Sequence, residues 1–139
     1  MSALAVHVAA TWALVGLIWV VQLVIYPSFA FLGSPELPAF HDAHCRRITW
    51  IVAPLMGVEL LSAVVLLAEP PEGASAAVMW AGAALIAVNW ACTGLVSVPL
   101  HARLVSRQRP EVQARLVVTN WVRTASWSLR GVLVALLLP

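Results

Sequence analysis

The chain has 139 residues, 62% of them hydrophobic and only 10% charged, with a formal net charge of +2. An ordinary soluble domain is about 25% charged, so this composition excludes a water-exposed globule, most of whose apolar surface would stay wet. A bilayer-crossing helix takes about 20 apolar residues, and four such helices with short loops use nearly the whole length. The expected fold class is therefore all-α: an integral membrane four-helix bundle in a single domain, with no separate soluble part.

In chain order, the N-terminal MSALAVHVAATW lacks the basic segment that opens a secretory signal. The apolar run is long enough to cross a bilayer, so a first span is expected over about residues 4–26. Pro27 and the following SFAFLGSPELP end it, because Pro and Gly clusters interrupt regular structure. An interfacial helical turn carrying FHDAHCRR then leads into a second span over about 48–68, with Pro54 expected to kink it. EPPEGAS breaks the chain again. A third span covers about 76–100, and its helix continues through HARLVSRQR to Pro110, a residue suited to a first helical turn. The fourth span covers about 113–137. Short connections predict that neighbouring spans pack as antiparallel hairpins.

All eight basic residues are arginine. Arg46 and Arg47 lie between spans one and two, and Arg103, Arg107, Arg109 and Arg115 between spans three and four, whereas the remaining loop carries Glu69 and Glu72 without a basic residue. The positive-inside rule then places the arginine segments in the cytoplasm and both termini on the non-cytoplasmic side of a bacterial inner membrane. Trp12, Trp50 and Trp80 fall at expected interfaces, where amphipathic rings settle; Trp127 is expected inside. Asn89-Trp90 in span three and Asn120-Trp121 in span four both begin an N-W-x-x-T string, a faint internal echo.

The residues lipid should exclude are the most informative. Asn120, Arg123, Thr124, Trp127 and Arg130 share one stripe of a helix, opposite a Val/Leu side that suits lipid. An arginine at mid-membrane costs about 2.5 to 3.5 kcal/mol even on the lenient insertion scale, so the stripe should face protein. Glu59 is the one acidic residue within a span. At about 1.5 Å per residue it lies about 18 Å from the arginine edge and Arg130 about 22 Å, so Glu59, Arg130 and Asn89 are expected in one layer, with Gln22 and Arg123 in a shallower one. Two readings follow for Arg123, Arg130, Glu59, Asn89, Asn120 and Gln22. They either clamp helices together, or line a site for an anionic or quinone-like ligand or relay protons.

His41 and His44 share a helical face, and His101 follows Pro99 at the same edge; with Asp42 nearby they make a candidate site for zinc, iron or copper. If His41 and Glu59 belong to one helix, their spacing places both on one face, making an inward stripe with His44, Ile48, Val52 and Leu55. His7 lies at the opposite end, and none of the four histidines is expected to face inward within the membrane core, so no haem site is expected. Cys45 and Cys92 show no paired spacing and read as small packing residues.

Tyr26-Pro27 closing the first span and the histidines opening the second, within four spans of about 140 residues, resemble the small bacterial four-span membrane proteins grouped as anthrone-oxygenase-like. The resemblance implies a cofactor-poor or metal-assisted oxidation of an aromatic substrate and assigns no catalytic residue. No phosphate-binding glycine loop and no nucleophile elbow is present. The expected function is a membrane enzyme or ligand-binding protein for a lipophilic or aromatic molecule, with a transition metal as the one cofactor considered. The alternatives are an accessory subunit of a larger respiratory or photosynthetic complex and the protomer of an oligomeric transporter or channel. The lipid bilayer, a larger complex or a homo-oligomer are the expected partners, and nucleic acid is not.

Overall fold

The computed structural model describes residues 2–29, 37–106 and 110–138, apart from the side chains of 105, 106 and 110. Four long helices carry the fold: α1 (Ala3–Ser28), α2 (Leu37–Ala68), α3 (Ala76–Leu104) and α4 (Pro110–Ala135). No strand occurs among the described residues. The first three helices are long and apolar enough to cross a membrane. The fourth is 26 residues long but carries the polar stripe, whose Asn120, Arg123, Thr124, Trp127 and Arg130 are all buried.

Local chemistry accounts for the helix ends and their irregularities. Ser2 caps α1 by accepting a hydrogen bond from the Ala5 N–H at 3.2 Å, supplying one of the donors a helix start leaves unpaired. A π turn occupies Val21–Ile25 of α1, and a second occupies Cys92–Ser97 of α3. Each lies just ahead of a proline, Pro27 or Pro99. A proline has no N–H for the carbonyl four residues back, and its ring crowds that carbonyl; widening the turn accommodates both Leu23 and Leu95. Pro54, by contrast, sits inside an uninterrupted α2, so the interfacial turn and the second span it leads into form one 32-residue helix that carries both His41 and Glu59. Between α2 and α3, Gly73 turns the chain with φ +73, a conformation that costs little only without a Cβ.

The helices run antiparallel in sequence order. His7 and Thr11 meet Ser62 and Glu59 across α1 and α2, and His41 meets His101 across α2 and α3. Trp19 meets Ser128 across α1 and α4, and Ser126 meets Leu85 across α3 and α4. α1 packs closely against both α2 and α4, and α4 against α3, but α2 hardly touches the Ala76–Ala91 part of α3. The second expected hairpin is thus closed near its Leu104 end and parted along the rest. Two apolar clusters bracket the gap. Tyr26, Phe29, Leu37, Leu100, Leu104 and Leu116 close one end, while Leu14, Val15, Ile18, Met56 and Trp127 fill the centre.

Trp127, expected inside the bundle, is 1% exposed, whereas Trp12, Trp50 and Trp80 are exposed. Arg107 and Arg109 lie outside the described residues. α1 and α4 pack tightly at Gly131, where an added Cβ would stand 3.3 Å from Val15 Cγ2 and 3.4 Å from Trp12. Gly131→Leu should therefore lower the thermal unfolding midpoint in detergent by several degrees, since overpacking costs about 1–3 kcal/mol. Gly16→Ala, whose added Cβ meets nothing within 4 Å, should not lower the midpoint, since a helix interior favours Ala over Gly.

Candidate functional site

Two polar layers lie inside the packed helices, and they differ in how completely their groups are satisfied. The deeper one centres on Glu59, 1% exposed, and Arg130, 3% exposed. Arg130 Nε donates to Glu59 Oε1 at 3.3 Å. The same carboxylate accepts from Thr11 Oγ1 at 3.0 Å and from Trp127 Nε1 at 3.2 Å. The guanidinium also donates through Nη2 to His7 Nε2 at 2.6 Å. Because His7 Nε2 accepts, Nδ1 carries the proton and donates to Ser62 Oγ at 2.8 Å, and Ser62 Oγ donates to the Val58 carbonyl at 2.6 Å. One directed chain therefore links α1, α2 and α4.

His7 thus belongs to the buried layer, although no histidine was expected inward. The physical reason is phase: His7 and Thr11 are one helical turn apart, and both point at α2. Arg130 lies against Gly82 of α3, where an added Cβ would come within 2.5 Å of Nη1. Beside this layer the helices leave only about 20 Å³, space for about one water molecule. Asn89 does not join it. Its side chain is fully buried, yet neither Oδ1 nor Nδ2 has a hydrogen-bond partner.

The second layer contains Gln22, Asn120 and Arg123. Asn120 Nδ2 donates to Gln22 Oε1 at 2.7 Å, and Gln22 Nε2 donates to the Val117 carbonyl at 3.3 Å. Arg123 Nη1 donates to Asn120 Oδ1 at 3.1 Å and reaches Ser97 Oγ at 3.4 Å, while the guanidinium lies 5.0 Å from the Trp127 ring centre. Arg123 is 6% exposed, and its Nε has no hydrogen-bond partner.

This layer borders a cavity of about 250 Å³ in the gap between α2 and α3. Val21, Tyr26, Met56, Ser97 and Arg123 are its buried lining, whereas Thr49, Ala53, Trp90 and Val98 are exposed at its mouth. Both π turns contribute to the wall, through Val21, Thr93 and Ser97. Wide turns of this kind are frequent at functional sites, and here they follow from Pro27 and Pro99.

Histidines close one end of the cavity. Tyr26 Oη lies 3.1 Å from His101 Nε2, and His101 Nδ1 lies 2.9 Å from His41 Nε2. Cys45 Sγ is 3.6 Å from His101 Nδ1 and 3.8 Å from His41 Nε2. The metal-ligating atoms that converge are therefore those of His41, Cys45 and His101; His44 lines the cavity and stacks its edge on Phe29 at 5.6 Å. Asp42 instead pairs along the helix with Arg46 at 2.6 Å, an exposed contact that contributes little. Sequence reasoning passed over Tyr26, Cys45 and Ser97 as site residues. The i, i+4 spacing of His41 and Cys45 was a usable signal, since it puts both on one helical face.

No family model, curated protein or solved structure matches this chain.

The closed layer gives a direct test. Glu59→Leu and Arg130→Leu should each destabilise the protein by about 3–5 kcal/mol, because either leaves an unpaired buried charge. The double substitution should recover most of that loss in thermal unfolding in detergent. A double variant as unstable as the sum of the singles would show that the two side chains do not act as a unit.

Proposed function

We propose that this protein is a bacterial inner-membrane four-helix bundle that binds a lipophilic molecule with an anionic or carbonyl head group in the cavity between α2 and α3. The observation that carries this reading is the buried Arg123, whose Nε lacks a partner beside a cavity of about 250 Å³. A buried guanidinium with an unused donor is costly, and an anionic or carbonyl group held in the cavity that Arg123 lines would offset that cost through its charge. The mouth between two apolar helices suits a molecule arriving from the bilayer, and the mostly apolar wall suits its tail.

Membrane orientation follows in the same reading. Exposed Arg46 and Arg47 lie at one end of the molecule together with Arg103 and Arg115, and Glu69 and Glu72 lie at the other. The arginine end would face the cytoplasm, with both termini outside. Helix α2 is longer than about 20 residues of hydrocarbon-spanning helix require, so its Leu37 end would project into the interface. An aromatic molecule is one ligand class this cavity would accommodate, with His101 and Tyr26 beside the bound head group.

The test is titration of detergent-purified protein with a lipophilic naphthoquinone, read by quenching of tryptophan fluorescence, since Trp90 lines the cavity and Trp127 contacts Arg123. Saturable quenching is expected, weakened about tenfold or more in Arg123→Gln, the loss anticipated for one charged hydrogen bond. Titrations of wild type and variant that superimpose would overturn this reading. Partner chains that co-purify, without any effect of Arg123→Gln, would instead support an accessory subunit.

A further inference from the structure

His41, Cys45 and His101 present three metal-ligating atoms from two helices, each within 4.8 Å of the others. Zinc–nitrogen bonds of about 2.0–2.1 Å and zinc–sulfur bonds of about 2.3 Å imply tetrahedral edges of about 3.4 Å between nitrogens and about 3.6 Å between nitrogen and sulfur. The separations in the protein are 2.9 Å between the nitrogens and 3.6 and 3.8 Å from sulfur to nitrogen. A small outward shift of one imidazole therefore admits an ion. The sulfur stands almost equally far from both nitrogens of His41, at 3.8 and 3.9 Å, so binding would also turn that ring.

Two further features fit ligation. Tyr26 Oη holds His101 Nε2 at 3.1 Å, which orients the ring and leaves Nδ1 as the ligating atom, the role a metal-bound histidine usually gives its outer partner. His41 and Cys45 sit one turn apart on α2, a rigid helix, so their spacing does not depend on a loop. Without an ion, the two close nitrogens are explained by one imidazole donating a proton to the other.

We propose that His41, Cys45 and His101 form a three-ligand site for zinc(II) or copper(I) at the histidine end of the cavity. Two imidazoles and a thiolate suit both ions, and carboxylate-preferring magnesium and calcium are disfavoured. His101 also lines the cavity, so the fourth coordination position would open toward it. This site shares His101 with the proposed ligand cavity but does not use Arg123, and it stands whether or not a lipophilic molecule binds.

The experiment is incubation of detergent-purified protein with zinc(II), or with copper(I) under anaerobic reducing conditions, followed by desalting and elemental analysis. About one equivalent of one ion per chain is expected to remain. Cys45→Ser, His41→Ala and His101→Ala should each reduce affinity about tenfold or more, while His44→Ala and Arg123→Gln should retain the ion. Cobalt(II) substitution gives a second readout: a thiolate-to-cobalt absorption present in wild type and absent in Cys45→Ser of unchanged elution volume. Retention of neither ion by wild type would overturn the proposal. So would retention indifferent to Cys45→Ser and His101→Ala, or retention that depends on His44.

Discussion

The buried ion pair of Arg130 with Glu59 is the constraint around which the other polar placements arrange themselves. Two opposite charges removed from water are tolerated only when their remaining donors and acceptors are also met. Here Thr11 and Trp127 donate to the carboxylate, and His7 and Thr11 accept from the guanidinium. Because those partners come from α1, α2 and α4, satisfying the charges fixes the relative rotation of three helices. Helix α3 contributes room instead of a polar partner, through Gly82 beneath the guanidinium.

That rotation also decides where the molecule is open. α1 is drawn between α2 and α4, and close approach at Gly131 tightens the α1–α4 side. α3 attaches to α4, so the seam between α2 and α3 is the one left parted. The cavity lies there, between an apolar cluster at the centre and another at the Leu37 end. Two arginines on one helical stripe thereby acquire opposite circumstances. Arg130 is enclosed beside about 20 Å³, and Arg123 borders about 250 Å³ with a donor unused.

Much of the helical framework was legible because apolar length and proline and glycine punctuation act locally. The inward phase of Asn120, Arg123 and Arg130 was legible for the same reason: one helix has one period, and a charged stripe opposite an apolar one has a single economical orientation. The match of Glu59 to Arg130 needed only a count of helical rise. Other residues escaped such counting. Asn89 was expected in the charged layer at the same depth, but depth does not specify whether a side chain points toward a partner. The roles of His7 and Cys45 are not legible in their own segments, because neither exists until a second helix supplies the other half.

What the amino-acid sequence by itself determined is the set of long apolar helices, their breaks, and the side of α4 that faces protein, since these depend on composition and on the helical period alone. The tertiary structure decided which neighbours meet across helices. It put His7 and Thr11 on the ion pair, placed Cys45 rather than His44 beside His41 and His101, and opened the gap between α2 and α3 next to Arg123. The physical reason is that helix rotation and separation are set by the joint packing and hydrogen bonding of several segments, and no single segment carries that information.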